Sequence, residues 1–541
     1  MPTITIDKKD LLKQIGKNFS DDKLKDRISM LGTDLEKVTK KDITVEIFPN
    51  RPDMLSSEGF ARALSSFIGV KKGLKKYKVK KSGYNVVVDK SVSVRPYTVC
   101  ALVKNLKFTD EKIKNIMQVQ EKLSLTHGRN RKKSEYGIYP SDKINFPINY
   151  IAKDPKEIMF KPLGMSKEIR ADQVEEIHST GKEFKHITKD WIKYPFFIDN
   201  KENVLSMLPY TNSEDIGKID ETTKNVFIEC TGIDLQNVMF ALNIFTTTLA
   251  DMGGEIYSVD IIYPDKTITT PNLEPKKMKI NFDYVNKILG LDLKEKEIKD
   301  CLERMGFGYK NKEVSIPCYR TDILHEIDLI EDIAIAYGYE NFESEIPNVS
   351  TVAKEDSFEK FKNKIAEILV GFGLIETNTY NLTNKNEQTK NMEIELDLVK
   401  ISNALNEDYN VLRRWMIPSL LNILKNNKHY GYPQKIFEIG TVFTPKEISR
   451  LGVLLCHKEV SYTESRQILE KILDSLGLKY SFKEVEHDSF IPGRVARVYV
   501  EGKGIAYVGE LHPSVLNNFE LEMPVSCFEL NLNELFDIIN S

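Results

Sequence analysis

From Thr321 to Glu345 the chain carries eight acidic residues and not one lysine or arginine. Within that stretch, TDILHEIDLIEDIAIAYGYE, Asp328, Glu331 and Asp332 stand at i, i+3 and i+4, so a helix would set three carboxylates on one face. Like charges at that spacing repel, and the helix can pack only if something positive faces it. A hard dication with oxygen ligands would serve, with Asp322 bending back to join the set. An acidic first turn favoured by the helix dipole, or arginines of a partner, would serve as well. The spacing predicts a helix over 323–337 that starts after Asp322 and stops at Gly338.

At 541 residues the chain has room for three or four domains. Its 77 basic and 80 acidic side chains give a net charge of −3, which excludes binding of nucleic acid by bulk charge and leaves local patches open. Six scattered cysteines form no C-x-x-C pair, which argues against a zinc ribbon or a disulfide framework and fits a reducing, cytoplasmic setting. The N-terminus lacks the apolar core of a signal peptide, and nothing approaches a membrane span. The chain has no G-x-x-x-x-G-K-[ST] loop, strand-linked G-x-G-x-x-G, H-E-x-x-H or G-x-S-x-G. A P-loop NTPase, a dinucleotide enzyme and a self-contained hydrolase are therefore not written locally.

Four units are expected, in an α+β multidomain arrangement. Residues 1–90 form an N-terminal α/β domain, with strand ITVEIFPNRPDMLS turning at Pro49 and Pro52 into an apolar helix, and a lysine-rich run at 71–81. Residues 91–265 contain the amphipathic stretch 110–125, the basic loop Arg129, Arg131, Lys132 and Lys133, strand NVFIECTG and a long helix over 234–254. Glu229 and Thr231, two apart on that strand, share a face and with Asn212 and Ser213 could line a small polar pocket; a solvated strand ending in a turn is the plainer reading. Residues 268–346, helix–helix–strand before the acidic helix, suit a winged-helix-like module. Residues 350–541 carry strands with few helices between them, which favours a largely antiparallel sheet. There Arg413 and Glu438 read either as a buried pair or as parts of a ligand site, and Arg494 precedes a strand.

FPNRPDMLSSEGFARAL, QEKLSLTHGRNRKKSEYGIY, FIECTGIDL, SIPCYRTDILHEIDLIEDIAIAYGYE and the pair FEIGTVF…GELHP occur in an order that resembles the beta subunit of phenylalanyl-tRNA synthetase, in its short archaeal and eukaryotic form. The resemblance implies a class II aminoacyl-tRNA synthetase of two alpha and two beta subunits, in which ATP and phenylalanine meet at the alpha-subunit site. It implies that 350–541 is a class II synthetase-like sheet lacking an active site. It implies Mg²⁺ held by Asp322, Asp328, Glu331 and Asp332. It also implies that 91–265 is an editing domain that hydrolyses tyrosyl-tRNA, with Glu229 accepting the phenolic proton and Ser213 and Thr231 positioning the ester and its water. A pocket shaped for phenylalanine cannot strongly exclude a ligand that adds one hydroxyl, so a second site is physically needed. Transfer RNA would meet Arg129, Arg131, Lys132 and Lys133 through phosphates. A non-catalytic nucleic-acid-binding scaffold and a stand-alone editing hydrolase are the alternatives.

Overall fold

The computed structural model describes residues 2–349, 352–444 and 446–541. The chain divides into two compact units, Met1–Ile346 and Pro347–Ser541. The expected start of the fourth sequence unit, at 350, lies outside the described residues.

In the first unit, three larger sheets stand in sequence, besides a two-stranded pair of Met159–Phe160 with Ile169–Arg170. Strands Thr3–Asp7, Asp34–Val38 and Asp42–Glu46 form a small antiparallel sheet with the middle of the three in space being Asp42–Glu46. Helix Ser57–Phe67 follows the Pro52–Met54 turn, and Ser56 caps it by accepting from the Gly59 amide at 2.8 Å. Only glycine fits at 59, because a Cβ there would lie 1.9 Å from the Asp53 carbonyl oxygen.

The second sheet has ten strands. Strand Val79–Val88, assigned from sequence to the N-terminal domain, pairs here instead, parallel to both Glu255–Ile262 and Ile148–Lys153. Three of the seven lysines in 71–81 are ion-paired: Lys72 with Asp300, Lys75 with Asp251 at 2.7 Å and Lys80 with Glu255 at 2.8 Å. Helices Asp110–Leu125 and Leu235–Asp251 cover one face of this sheet with an apolar layer that includes Val119, Leu123, Ile228, Cys230 and Leu242. Their apolar residues recur at helical spacing, and Thr109 and Asp234 cap them.

The third sheet, Lys276–Lys279, Gly308–Lys310 and Glu313–Ile316, is packed by helices Phe282–Leu289, Glu295–Arg304 and Glu326–Tyr337. The acidic helix thus starts three residues later than the capping argument at Asp322 predicts. His325 is its N-cap, and Asp328 reaches back to the backbone before it.

The second unit is built on a seven-stranded sheet, antiparallel except where Ile375–Glu376 pairs parallel with Gln434–Phe443. Two apolar layers cover it: Phe437, Val453, Leu469 and Phe528 lie in one, Leu420, Leu454, Val515 and Cys527 in the other. Among the described residues no helix is long and apolar enough to cross a membrane.

Candidate functional site

Strand Val226–Gly232 lies between Tyr97–Lys104 and Ser134–Pro140, antiparallel to both. Alternation sends Ile228 and Cys230 toward the helices and Phe227, Glu229 and Thr231 to the opposite face. Glu229 is therefore taken out of water: it is 1% exposed, with Cys100 and Gly137 as its neighbours across the sheet. The phenol of Tyr139 donates to Glu229 Oε1 at 3.0 Å, while Oε2 has no partner. Burial, reinforced by the nearby Glu135 charge, pushes the Glu229 carboxyl well above the usual carboxylate range. Gly137 makes the approach possible, since a Cβ there would stand 2.5 Å from Glu229 Oε1 and 2.3 Å from the Tyr139 hydroxyl.

A buried polar group surrounds Glu229. Arg95, 1% exposed, donates from Nη2 to the Arg131 carbonyl and leaves Nε without an acceptor. Tyr150 donates to the Arg95 carbonyl at 2.9 Å. Glu135 Oε1 accepts from Arg131 Nη1 at 2.9 Å, and its Oε2 is unpartnered, as is Thr231 Oγ1. Buried polar atoms are nearly always paired, so three unpaired ones on this sheet and Arg95 Nε in the loop beside it make the cluster unusual. Arg95, Glu135 and Tyr139 escaped the sequence reading because nothing local ties them to FIECTG; the cross-strand register brings Glu135 and Tyr139 there, and the loop before Tyr97 brings Arg95.

Ser213 stands apart from that pair. Its hydroxyl caps the turn Glu214–Gly217, accepting from the Ile216 amide at 3.3 Å. The turn packs against the Ser134–Pro140 strand. A cavity of about 510 Å³ opens beside it, walled by Met117, Gln120, Arg131, Glu135, Tyr210 and Asn212 among others, and is not lined by Glu229, Thr231 or Ser213.

The basic loop divides. Arg131 turns inward: besides Glu135, its Nη1 donates to the Pro209 and Tyr210 carbonyls at 2.8 and 3.1 Å, and its guanidinium stacks on Phe184. Arg131 therefore ties the domain together and cannot serve a phosphate. Lys133 pairs with Asp234 at 3.2 Å, whereas Arg129 and Lys132 face solvent.

The acidic helix is also different from its reading in sequence. Arg320, which is buried, donates to Asp322 at 2.7 Å and to Asp332 at 2.6 Å. Asp328 Oδ2 accepts from the Leu324 and His325 amides, both at 2.7 Å, and Glu331 accepts from the Tyr339 phenol at 2.9 Å. Positions 331 and 332 lie about 100° apart around the helix, so one acid is exposed and the other buried. Among the described residues no group of three or more His, Cys, Asp or Glu could hold a metal ion. In this chain the four acids are not gathered into one ligand set: Arg320 supplies positive charge to Asp322 and Asp332, while Asp328 and Glu331 are held by amides and a phenol. Burial opposes the charge on Arg320, but Asp332 and Asp322 hold its guanidinium well above the ordinary arginine value.

In the second unit Arg413 and Glu438 form a closed network. Arg413 Nη1 donates to Glu438 Oε1 and to Thr379 Oγ1, both at 2.7 Å, and Thr379 donates to Glu438 Oε2 at 2.7 Å. Gly440 leaves room for it, as a Cβ there would be 2.3 Å from Arg413 Nη2. Arg494 is engaged by Glu510 at 2.5 Å.

Three domain families match in order along the chain. Residues 1–70 match the Phe-tRNA synthetase beta subunit B1 domain, 278–339 the tRNA synthetase B5 domain, and 342–532 the phenylalanyl-tRNA synthetase beta chain CLM domain. The phenylalanine–tRNA ligase beta subunit of Thermococcus sibiricus is 40% identical over 99% of both chains, and that of Pyrococcus horikoshii is 41% identical over 99% of this chain and 100% of its own. The chain belongs to the phenylalanine–tRNA ligase beta-subunit family. A crystal structure of an N-terminal fragment of the Pyrococcus horikoshii beta subunit is similar, with 40% identity and a TM-score of 0.60, covering 62% of this chain and 99% of the fragment. Such beta subunits are part of the ligase, so the resemblance read from the sequence motifs holds for the whole chain, as does membership of an aminoacyl-tRNA synthetase.

Proposed function

We propose that this beta subunit supplies proofreading and architecture to a phenylalanine–tRNA ligase whose alpha subunit joins phenylalanine to tRNA with ATP. The observation that carries the editing part is the Tyr139–Glu229 hydrogen bond. Discrimination of tyrosine from phenylalanine needs a buried group that pairs with a phenol. Here a phenol already sits on Glu229 Oε1, and Oε2 beside it is unused. A tyrosyl ester bringing its own hydroxyl to Oε2 gains a hydrogen bond in a dry site, whereas a phenylalanyl ester leaves Oε2 unpaired.

Burial and the Glu135 charge raise the Glu229 carboxyl well above the usual carboxylate range, which favours its neutral form. Thr231 Oγ1, two residues on and also unpaired, is placed to hold the attacking water or the ester. Ser213 acts through the turn it caps, which packs on the strand carrying Gly137 and Tyr139. No protein nucleophile is required, because the ester is already activated toward water.

Residues 1–90, 91–265, 268–346 and 350–541 serve as N-terminal, editing, winged-helix-like and catalytic-like domains, with strand Val79–Val88 contributed to the editing sheet. Closure of the Arg413–Glu438–Thr379 network supports reading 350–541 as a class II synthetase-like sheet without an active site. Phenylalanine and ATP then belong to alpha, in an assembly of two alpha and two beta subunits in the cytoplasm. Arg129 and Lys132, exposed on their loop, are left to meet tRNA phosphates.

The test has two parts. The chain alone forms no phenylalanyl-tRNA, and adding alpha restores it. The assembled ligase hydrolyses tyrosyl-tRNA, and Thr231→Val slows this without slowing phenylalanine attachment. Charging by the chain alone would overturn the division of labour, and unchanged hydrolysis in Thr231→Val would overturn the site.

A further inference from the structure

Within the first unit, a cavity of about 660 Å³ lies among helices Lys8–Ile15 and Ser57–Phe67 and the segment 71–75, and none of Glu229, Thr231 or Ser213 lines it. Its lining holds eight lysines and arginines against four acids. On the floor, Asp53 grips Arg51 through two hydrogen bonds of 2.9 Å, and Asp251 accepts from Arg62 at 2.6 Å. Arg62 also lies over Tyr319, 3.8 Å from the ring centre.

These pairs do not use up the cationic donors. Arg62 Nη2 and Arg320 Nη1 have no acceptor, and the side chains of both are at least nine-tenths buried. Arg51 and Arg320 are close enough to repel each other. Lys13, Lys71 and Lys112 complete the wall, with Lys72 and Lys75, which are already paired with Asp300 and Asp251. Lys71 is held toward the cavity wall by donating to the Gln14 carbonyl at 2.8 Å. A ligand suited to this place offers several negative oxygens close together: acceptors for the unpaired guanidinium donors and charge to offset the lysines. The volume falls within the roughly 300–1,000 Å³ of small-molecule sites. A long polyanion would touch the lysines but could not follow them down to Arg62 and Arg320.

We propose that this cavity binds a compact oligophosphate, either pyrophosphate or the phosphate chain of a nucleoside triphosphate. The cations are spread from floor to wall, so a chain of two or three phosphates spans them where a single phosphate cannot.

Isothermal titration of the full chain at fixed ionic strength, with pyrophosphate, ATP, AMP and sulfate in turn, tests this. The expected result is one site for pyrophosphate, ATP or both, with AMP and sulfate at least tenfold weaker; which of the two binds identifies the source. The double variant Lys13→Ala, Lys71→Ala should weaken that binding at least tenfold while its circular dichroism melt stays that of a folded chain. Arg129→Ala, Lys132→Ala, at residues that do not line the cavity, should leave it unchanged. Absence of saturable binding by either oligophosphate, equal affinity for sulfate, or equal losses in both double variants would overturn the proposal. So would loss of tRNA affinity in the first variant without any oligophosphate binding, since that would assign the lysines to RNA.

Discussion

Glu58 begins the helix that walls the 660 Å³ cavity, and it is a carboxylate placed where charge is costly. Burial pushes its carboxyl up to about 7, its own backbone opposes this, Asp10 and Asp251 add to it, and Lys112 opposes it. Oε2 has no partner. Below pH 4.5 the folded and unfolded chains both hold this proton. Between 4.5 and 7 the folded chain keeps a proton that the unfolded chain has released. Stability from this group therefore falls as pH rises through that window and levels off above it. At about 1.4 kcal/mol per pH unit, the full loss is about 3 kcal/mol. Glu58→Gln removes the titration, so its advantage over the wild type should grow from near zero at pH 4.5 to about 3 kcal/mol at pH 8. Urea unfolding followed by far-ultraviolet circular dichroism at each pH, read on the transition of the 1–346 unit, measures the difference. Parallel stability curves for the two proteins would refute the reasoning, because Glu58 would then titrate alike folded and unfolded.

The remaining expectations use the other buried charges. Arg320→Met strands Asp332 without a partner and should cost about 3–5 kcal/mol in the same unfolding assay, whereas Asp328→Ala, a lost cap, should cost about 1. Arg413→Met should cost about 3–5 kcal/mol in the second unit by leaving Glu438 buried and charged; pairing it with Glu438→Leu should recover most of the loss. Gly137→Ala should abolish tyrosyl-tRNA hydrolysis by the assembled ligase while phenylalanine attachment is unchanged, since its Cβ would push Tyr139 and Glu229 apart.

Much of the architecture was legible because it is periodic. The stretch 110–125 has helical spacing and an N-cap threonine, and the helix runs over those residues. Glu229 and Thr231 share a strand face because alternation is local. What escaped depends on residues far apart in sequence. Arg320 belongs to the segment before the acidic helix, and no periodicity tells that it folds back on Asp332, twelve positions later. The acids invited a dication by their spacing, but spacing could not show that two of them, Asp322 and Asp332, meet a guanidinium of the same chain. Arg131 sits in a run that reads as a phosphate patch, yet carbonyls at 209 and 210 draw it inward. Tyr139 reaches Glu229 only through the sheet, and Gly137 becomes meaningful only once the register sets it beside that carboxylate.

Deacylation of tyrosyl-tRNA by the alpha–beta ligase carrying Glu229→Ala, measured beside its rate of phenylalanine attachment, tests the role of this chain most directly. Wild-type ligase should strip tyrosine and spare phenylalanine, and the variant should lose at least tenfold in deacylation at an unchanged charging rate. A variant that still removes tyrosine at the wild-type rate would contradict the assignment of proofreading to Glu229.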